Sequence, residues 1–410
     1  LTQETELNLG EKDPKKAAIW LSVGVMTAYL ILAWCIDQKR MQITYYVSQW
    51  MVTFATGFVR RGLLGQTVFD LSKWLHIPPV EIIKFCQYCL AIWLAATLGF
   101  QCVKNRRWLG IAGVCIVLSN PFLTKYIWME TGSIDIFFIL VPAVNRWLAR
   151  KDPARYMKRA ALFMATAGTF VVLSHEAFFF LSLPLNIVIT WNALANQNPE
   201  GNARTRAAAG VGLIYALPVA ASVVAALFHG THAQVATLEQ CWTALHVKVP
   251  KESALYYMGF TIPQEFKFVR AVVTLPTFGV WLVDMLVCIA PLPILVMSIL
   301  KGADHETRAK FGSHCWDYLW LPILCSLPMY CVGSDWDRWP SIPIISGVIC
   351  LLMEANDEYR FPAGPKMDAA WVGLILVGLM IRPVPANVYF NGIVDGPLDI
   401  TYRMVRHMPI

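Results

Sequence analysis

The chain has 410 residues, of which 57% are hydrophobic and only 15% charged, and its mean hydropathy is +0.50. A soluble chain is roughly half apolar and a quarter charged, so a soluble enzyme, a disordered regulator and a secreted disulfide scaffold all fit poorly. The net charge of +7 is carried by basic clusters between apolar runs, which points to orientation in a membrane rather than to nucleic acid.

The pattern predicts an all-α, polytopic integral membrane protein. At ~20 residues per membrane helix, apolar runs place spans near residues 17–36, 81–103, 108–126, 132–149, 160–175, 177–195, 207–229, 271–300, 315–333, 340–354 and 369–385. That makes about 11 transmembrane helices in a single membrane domain covering 1–410. The pair around His175 reads either as two spans or as one long or broken helix. The polar first 16 residues and the lack of a small-residue cleavage site after the first apolar run predict no cleavable signal.

Basic loops set the expected orientation. Lys12, Lys15 and Lys16 precede the first span, and Lys104, Arg106 and Arg107 follow the second. Arg150, Lys151, Arg155, Lys158 and Arg159, then Arg204 and Arg206, then Lys301, Arg308 and Lys310 fall on the same side. The positive-inside rule makes that side cytoplasmic, with the N-terminus inside and the C-terminus outside. The opposite face then carries three long segments, 37–80, 230–270 and 386–410. In the first, Trp50, Phe54, Phe58, Leu63, Leu64, Val68, Leu71 and Leu75 recur at roughly helical spacing among Arg60, Arg61 and Lys73, which predicts amphipathic juxtamembrane helices.

Four polar motifs map to that outer face. Gly57-Phe58-Val59-Arg60-Arg61-Gly62-Leu63-Leu64-Gly65 sets two arginines between glycines; Arg forks onto phosphate and Gly lets a backbone approach. An interfacial helix meeting lipid headgroups is the plain alternative. Glu130-Thr131-Gly132-Ser133-Ile134-Asp135 brings a carboxylate to the start of an apolar helix, either to face a polar cavity or to meet the helix dipole. Ser174-His175-Glu176 lies between Val171-Val172-Leu173 and Phe178-Phe179-Phe180. Burial is expected to raise the Glu176 pKa and the carboxylate that of His175, as proton transfer requires; a hydrogen-bonded helix contact is the alternative. Gly333-Ser334-Asp335-Trp336-Asp337-Arg338-Trp339 joins two carboxylates, an arginine and two indoles, and reads otherwise as an aromatic anchor with a local salt bridge. Together they compose a site for an anionic, phosphorylated substrate and a moving proton. Trp242, His246, Lys248, Lys251, Tyr256, Tyr257 and Lys267 are expected to cover it.

The 11 cysteines lie mostly in apolar runs and behave as small hydrophobes. Cys86 and Cys89 form a C-x-x-C with no second pair at zinc spacing. No cofactor and no metal ligand set is expected, although a divalent metal is compatible with the chemistry.

The Phe58–Gly65 run in a first outer loop, the Gly132–Asp135 start of a helix, the His175-Glu176 pair and the Asp335–Trp339 turn resemble bacterial polytopic glycosyltransferases of surface-polysaccharide gene clusters. These are either superfamily C lipid-linked-sugar transferases or O-antigen (Wzy-type) polymerases. The first resemblance implies an acidic base near the end of the first span, here Asp37, without the usual acidic doublet. The second implies essential outer-loop arginines, a style that Arg60, Arg61 and Arg338 match, and no metal.

The expected function is transfer of a sugar or oligosaccharide from a polyprenyl-(di)phosphate-linked donor to a glycan acceptor at the outer face of a bacterial inner membrane. Asp337, Glu176, His175 and Asp135 are the expected catalytic groups. Arg60, Arg61 and Arg338 would bind the phosphate, with Asp37, Asp335 and Glu130 as additional candidates. Membrane lipid and membrane-protein partners are expected, and no nucleic acid. A transporter or flippase would place polar residues at mid-membrane, where Asp284 and Asn186 are candidates. A non-catalytic subunit of a membrane assembly would pair its charges internally around no open cavity.

Overall fold

The computed structural model describes residues 45–104, 132–197, 202–247, 253–275, 305–333 and 338–358, with isolated positions elsewhere. The expected spans 17–36, 108–126, 271–300 and 369–385 and the segment 386–410 fall almost wholly outside these residues. So do Asp37, Glu130, Asp284, Asp335 and Asp337.

The described chain is helical almost throughout. The helices are α1 (Tyr45–Gln49), α2 (Gly62–Leu75), α3 (Pro79–Lys104), α4 (Asp135–Lys151), α5 (Tyr156–Phe163), α6 (Thr169–Ser174), α7 (Phe178–Leu181), α8 (Leu183–Gln197), α9 (Ala203–Leu227), α10 (His232–Ala244), α11 (Ala254–Met258), α12 (Ile262–Val272), α13 (His305–Cys315), α14 (Leu321–Ser326), α15 (Met329–Val332) and α16 (Arg338–Glu358). A two-residue antiparallel pairing joins Val384–Pro385 to Ile393–Val394.

Among the described residues, three helical stretches are long and apolar enough to cross a membrane: Pro79–Leu98, Pro153–Ser174 and Arg204–Leu227. They turn Phe85, Ile92, Leu162, Leu213 and Leu217 outward. Such a surface suits lipid and not water. The stretch Pro153–Ser174 includes α5 and α6, joined by a π-helical turn at Met164–Gly168.

The break at His175 is real. The last turn of α6 closes with His175 N–H donating to Val171 O, His175 itself is extended at φ −163°, and α7 restarts after tight turns in which Phe178 N–H donates to His175 O and Phe179 N–H to Glu176 O. Both side chains therefore sit at a helix end and not inside a span.

The main core joins α4, α5, α6, α8, α9 and α16, with Phe138, Val141, Tyr156, Met164, Val172, Phe178, Ile214 and Ile342 all buried. Polar groups inside an apolar bundle need internal partners. Asn145, Thr190, Tyr156 and Tyr215 supply them to each other: Tyr156 OH donates to Asn145 Oδ1 (2.9 Å), Tyr215 OH to Asn186 O (2.6 Å), and Asn145 Nδ2 to Thr190 Oγ1 (3.3 Å). Asn186, a candidate for a mid-membrane path, is thus part of a helix-to-helix contact; its own Nδ2 donates to Ser182 O (3.0 Å). Further along α4 and α16, Arg146 meets Glu354 at 3.7 Å, and His314 of α13 meets the same carboxylate.

The segments 37–80 and 230–270, expected as loops, are not loops where described. They pack together as a cap with its own core of Met51, Val52, Val59, Phe69, Leu238, Trp242, Leu255 and Met258. Trp242 Nε1 donates to Met51 O (2.6 Å), Ala254 N–H to Ser48 Oγ (2.8 Å) and Arg60 N–H to Phe228 O (2.8 Å). Trp242, expected to cover a ligand, is fully buried in that core. The amphipathic helix begins only at Gly62, so Trp50, Phe54, Phe58, Arg60 and Arg61 lie before it. It packs on α6, with Leu64 and Val68 buried.

Gly62 and Gly65 serve this packing. A Cβ on Gly65 would lie 1.9 Å from Val52 O, and one on Gly62 would lie 2.3 Å from the Phe54 ring. Gly65→Ala is expected to destabilise the fold by about 1–3 kcal/mol, since the obstructing atom is backbone and has little room to relax. A thermal melt of the purified protein checks this; an unchanged midpoint would mean that the turn at Val52 yields freely.

Candidate functional site

The cap closes over one end of the bundle, where α4 and α16 begin and α6 and α9 end. There a cavity of about 470 Å³ is lined by Arg60, Arg61, His175, Glu176, Glu265 and Arg338. Its remaining wall is mostly apolar, from α9 (Val223, Ala225, Ala226), α7 (Phe179, Phe180), α12 (Ile262, Phe268, Val269) and the α14–α15 region (Pro328, Met329, Val332). Ionisable residues from three of the four sequence motifs meet directly at this cavity, and the remaining one, Asp135, reaches it through Arg338.

Local structure explains the placement. Arg61 adopts a left-handed conformation (φ 67°, ψ 4°) immediately before α2, which turns Arg60 and Arg61 to different partners. Arg61 grips Glu176 with two parallel bonds, Nε to Oε2 at 2.8 Å and Nη2 to Oε1 at 2.5 Å. Arg60 Nη2 donates to Glu265 Oε1 at 2.6 Å and to the carbonyls of Tyr257 (3.2 Å) and Phe260 (3.3 Å), and its Nη1 lies 3.6 Å from Glu176. Arg338 Nη2 donates to Asp135 Oδ1 at 2.6 Å, with both side chains almost wholly buried. This pair ties the first turn of α16 to the first turn of α4. Gly132 positions α4 for it. Its φ of +95° and its approach to Val47 N (2.8 Å from a Cβ) exclude a side chain, and Gly132 O accepts from Trp50 Nε1 (2.6 Å).

The expected electrostatics of the His175-Glu176 pair are reversed. Burial pushes the Glu176 carboxyl up, but the Arg61 and Arg60 guanidiniums outweigh it and hold the group well below the usual carboxylate range. Glu176 is a poor proton acceptor in this state. His175 Nδ1 accepts the Ala177 backbone N–H at 3.2 Å, so the lone pair a base would use is already engaged, and its ring packs edge-on to Phe138. His175 reads as a positioning group for the turn.

Glu176 also carries a pH signature. Its depressed folded pKa means that its ion pair contributes fully above the ordinary value of 4.5 and is lost as pH falls through the lower folded value. The difference in melting temperature between wild type and Glu176→Gln is therefore expected to stay constant from pH 8 to about 5 and to shrink only below the ordinary carboxylate range. A difference that vanishes already near pH 6 would contradict the pairing.

Sequence reasoning missed Glu265. It lies in the first turn of α12, after a Thr261–Gln264 capping box, a local signal of a helix start that was readable between Tyr257 and Lys267. Burial raises its carboxyl, and the attraction of Arg60 only partly offsets that. Of the residues expected to cover the site, Tyr257 lines the cavity, Tyr256 and Lys267 are exposed, and Lys248 and Lys251 lie outside the described residues. Among the described residues, no three His, Cys, Asp or Glu side chains gather as metal ligands. Comparison with protein-family models, curated proteins and solved structures finds no match to the chain.

Proposed function

We propose that the chain is a membrane glycosyltransferase of the bacterial inner membrane, with its N-terminus cytoplasmic, its C-terminus periplasmic and its site at the outer face. It would transfer a sugar or oligosaccharide from a polyprenyl-(di)phosphate donor to a glycan acceptor. The observation that carries this reading is the composition of the cavity: three guanidiniums within a mostly apolar lining, which suits a ligand with an anionic head and a hydrocarbon tail. A base takes the proton of the acceptor hydroxyl, the oxygen bonds to the anomeric carbon, and the bond from that carbon to the phosphate oxygen breaks. The lipid phosphate leaves with the electron pair, its charge met by the guanidiniums. Asp337, one residue before Arg338 in the chain, is the proposed base. The Arg61 pairing places Glu176 behind it, and Asp135 serves Arg338.

The test is product formation from lipid-linked donors by protein in nanodiscs. Alanine at Asp337 is expected to abolish product, and alanine at Arg61 or His175 to lower it severely, while the protein stays folded; full activity in all three variants overturns the assignment. A second reading, a non-catalytic subunit of a membrane assembly, draws on the internal pairing of all three arginines with carboxylates. It expects no ligand in the cavity and loss of assembly in the same variants.

A further inference from the structure

The three ion pairs of the cavity are not equivalent. Arg338–Asp135 is sealed at 1% and 2% side-chain exposure. Arg61–Glu176 is bidentate, the strong geometry for a guanidinium. Arg60–Glu265 rests on one direct contact to a single carboxylate oxygen, while Arg60 Nε is buried with no hydrogen-bond partner. Glu265 is carried by α12, a short helix of the cap whose Lys267 and Arg270 face outward. Among the described residues each of the three arginines meets a carboxylate, so an entering anion competes with one of them.

We propose that the ligand's phosphate replaces Glu265 on Arg60, so that Glu265 competes with the anion for this guanidinium. This rests on the lipid-linked reading above and deepens it. The bound phosphate takes the Arg60 Nη2 donor that Glu265 holds, and the tail lies against Phe179, Val223, Ala226 and Val269. Glu265 then takes a proton or turns to solvent. The charged groups facing it are Arg60 and Arg61, from the turn before α2, and Glu176, from the break after α6; His175 also lines the cavity. Burial favours the neutral form of Glu265, while Glu176 is held ionised by Arg61 and Arg60. Falling pH therefore releases Arg60 through Glu265 first and strengthens binding of a ligand whose own charge is constant.

The experiment is equilibrium binding to the full chain in nanodiscs from pH 8 to 5. The probes are farnesyl methyl phosphate, a diester with one fixed charge, and farnesyl diphosphate. Wild type is expected to bind the diester more tightly as pH falls. Glu265→Gln is expected to bind it about tenfold more tightly at pH 8, the scale of one charge-assisted hydrogen bond, and with no pH dependence. Arg60→Ala is expected to bind neither probe, its fold checked by its melting curve. Unchanged affinity in Glu265→Gln, or a wild-type affinity that does not vary with pH, overturns this proposal and leaves the lipid-linked reading standing. Absence of binding of either probe to wild type overturns both.

Discussion

Alanine in place of Asp135 is expected to destabilise the folded chain by about 3–5 kcal/mol, because it leaves the Arg338 guanidinium buried without its carboxylate. Neither side chain of this pair has appreciable contact with solvent, so water cannot take over the lost bond. The pair also joins the starts of α4 and α16, two helices that pack along their length with Phe138, Val141 and Ile342 in the core. Arg338→Ala should cost a comparable amount, because the buried Asp135 carboxylate loses the guanidinium that meets it at 2.6 Å. Replacing both residues together, Asp135→Leu with Arg338→Met, should recover much of the loss, since an apolar pair of similar volume avoids both desolvation penalties. Denaturation of the four proteins in mixed detergent reads this as a double-mutant cycle. Additive losses would show that the two side chains act independently.

Arg61→Ala is expected to lower product formation by about 10²–10³-fold if the guanidinium meets charge developing on the leaving phosphate. Arg61→Lys should recover little of it. An ammonium cannot make the two parallel bonds that Arg61 makes to Glu176, and it does not match a phosphate edge. Glu176→Gln supplies the comparison. It removes the charge that orients Arg61 but leaves the guanidinium in place, so it should lower the rate less than Arg61→Ala does. Equal losses in both variants would mean that Arg61 acts only by holding the turn at His175 and Glu176.

The polar motifs were legible because each contradicts its surroundings. Asp135 opens an apolar helix, and His175 and Glu176 interrupt a run of valines and phenylalanines; a charge in such a place calls for a partner. The helix break at His175 was readable only as an alternative, since no proline or glycine marks it. The tight turns after Ser174 decide it. The glycines around Arg60 and Arg61 were read as room for a ligand, whereas Gly62 and Gly65 make room for Phe54 and Val52. Trp242 illustrates the same limit: an indole in a polar segment reads as a surface aromatic until its N–H is found on Met51 O in the cap core.

Sequence alone determined the helical class and the membrane-length apolar helices, because hydropathy accumulates along contiguous residues and needs no knowledge of neighbours in space. It also singled out Arg60, Arg61, Asp135, His175, Glu176 and Arg338. Tertiary structure decided which charge answers which. The partners of Arg61, Arg338 and Arg60 stand 115, 203 and 205 positions away along the chain, beyond any local periodicity. That pairing sets a carboxylate against each arginine, holds Glu176 ionised, and brings in Glu265. The Coulomb energy and desolvation that set these roles depend on distances of a few ångströms between segments, which only the packed cap and bundle specify.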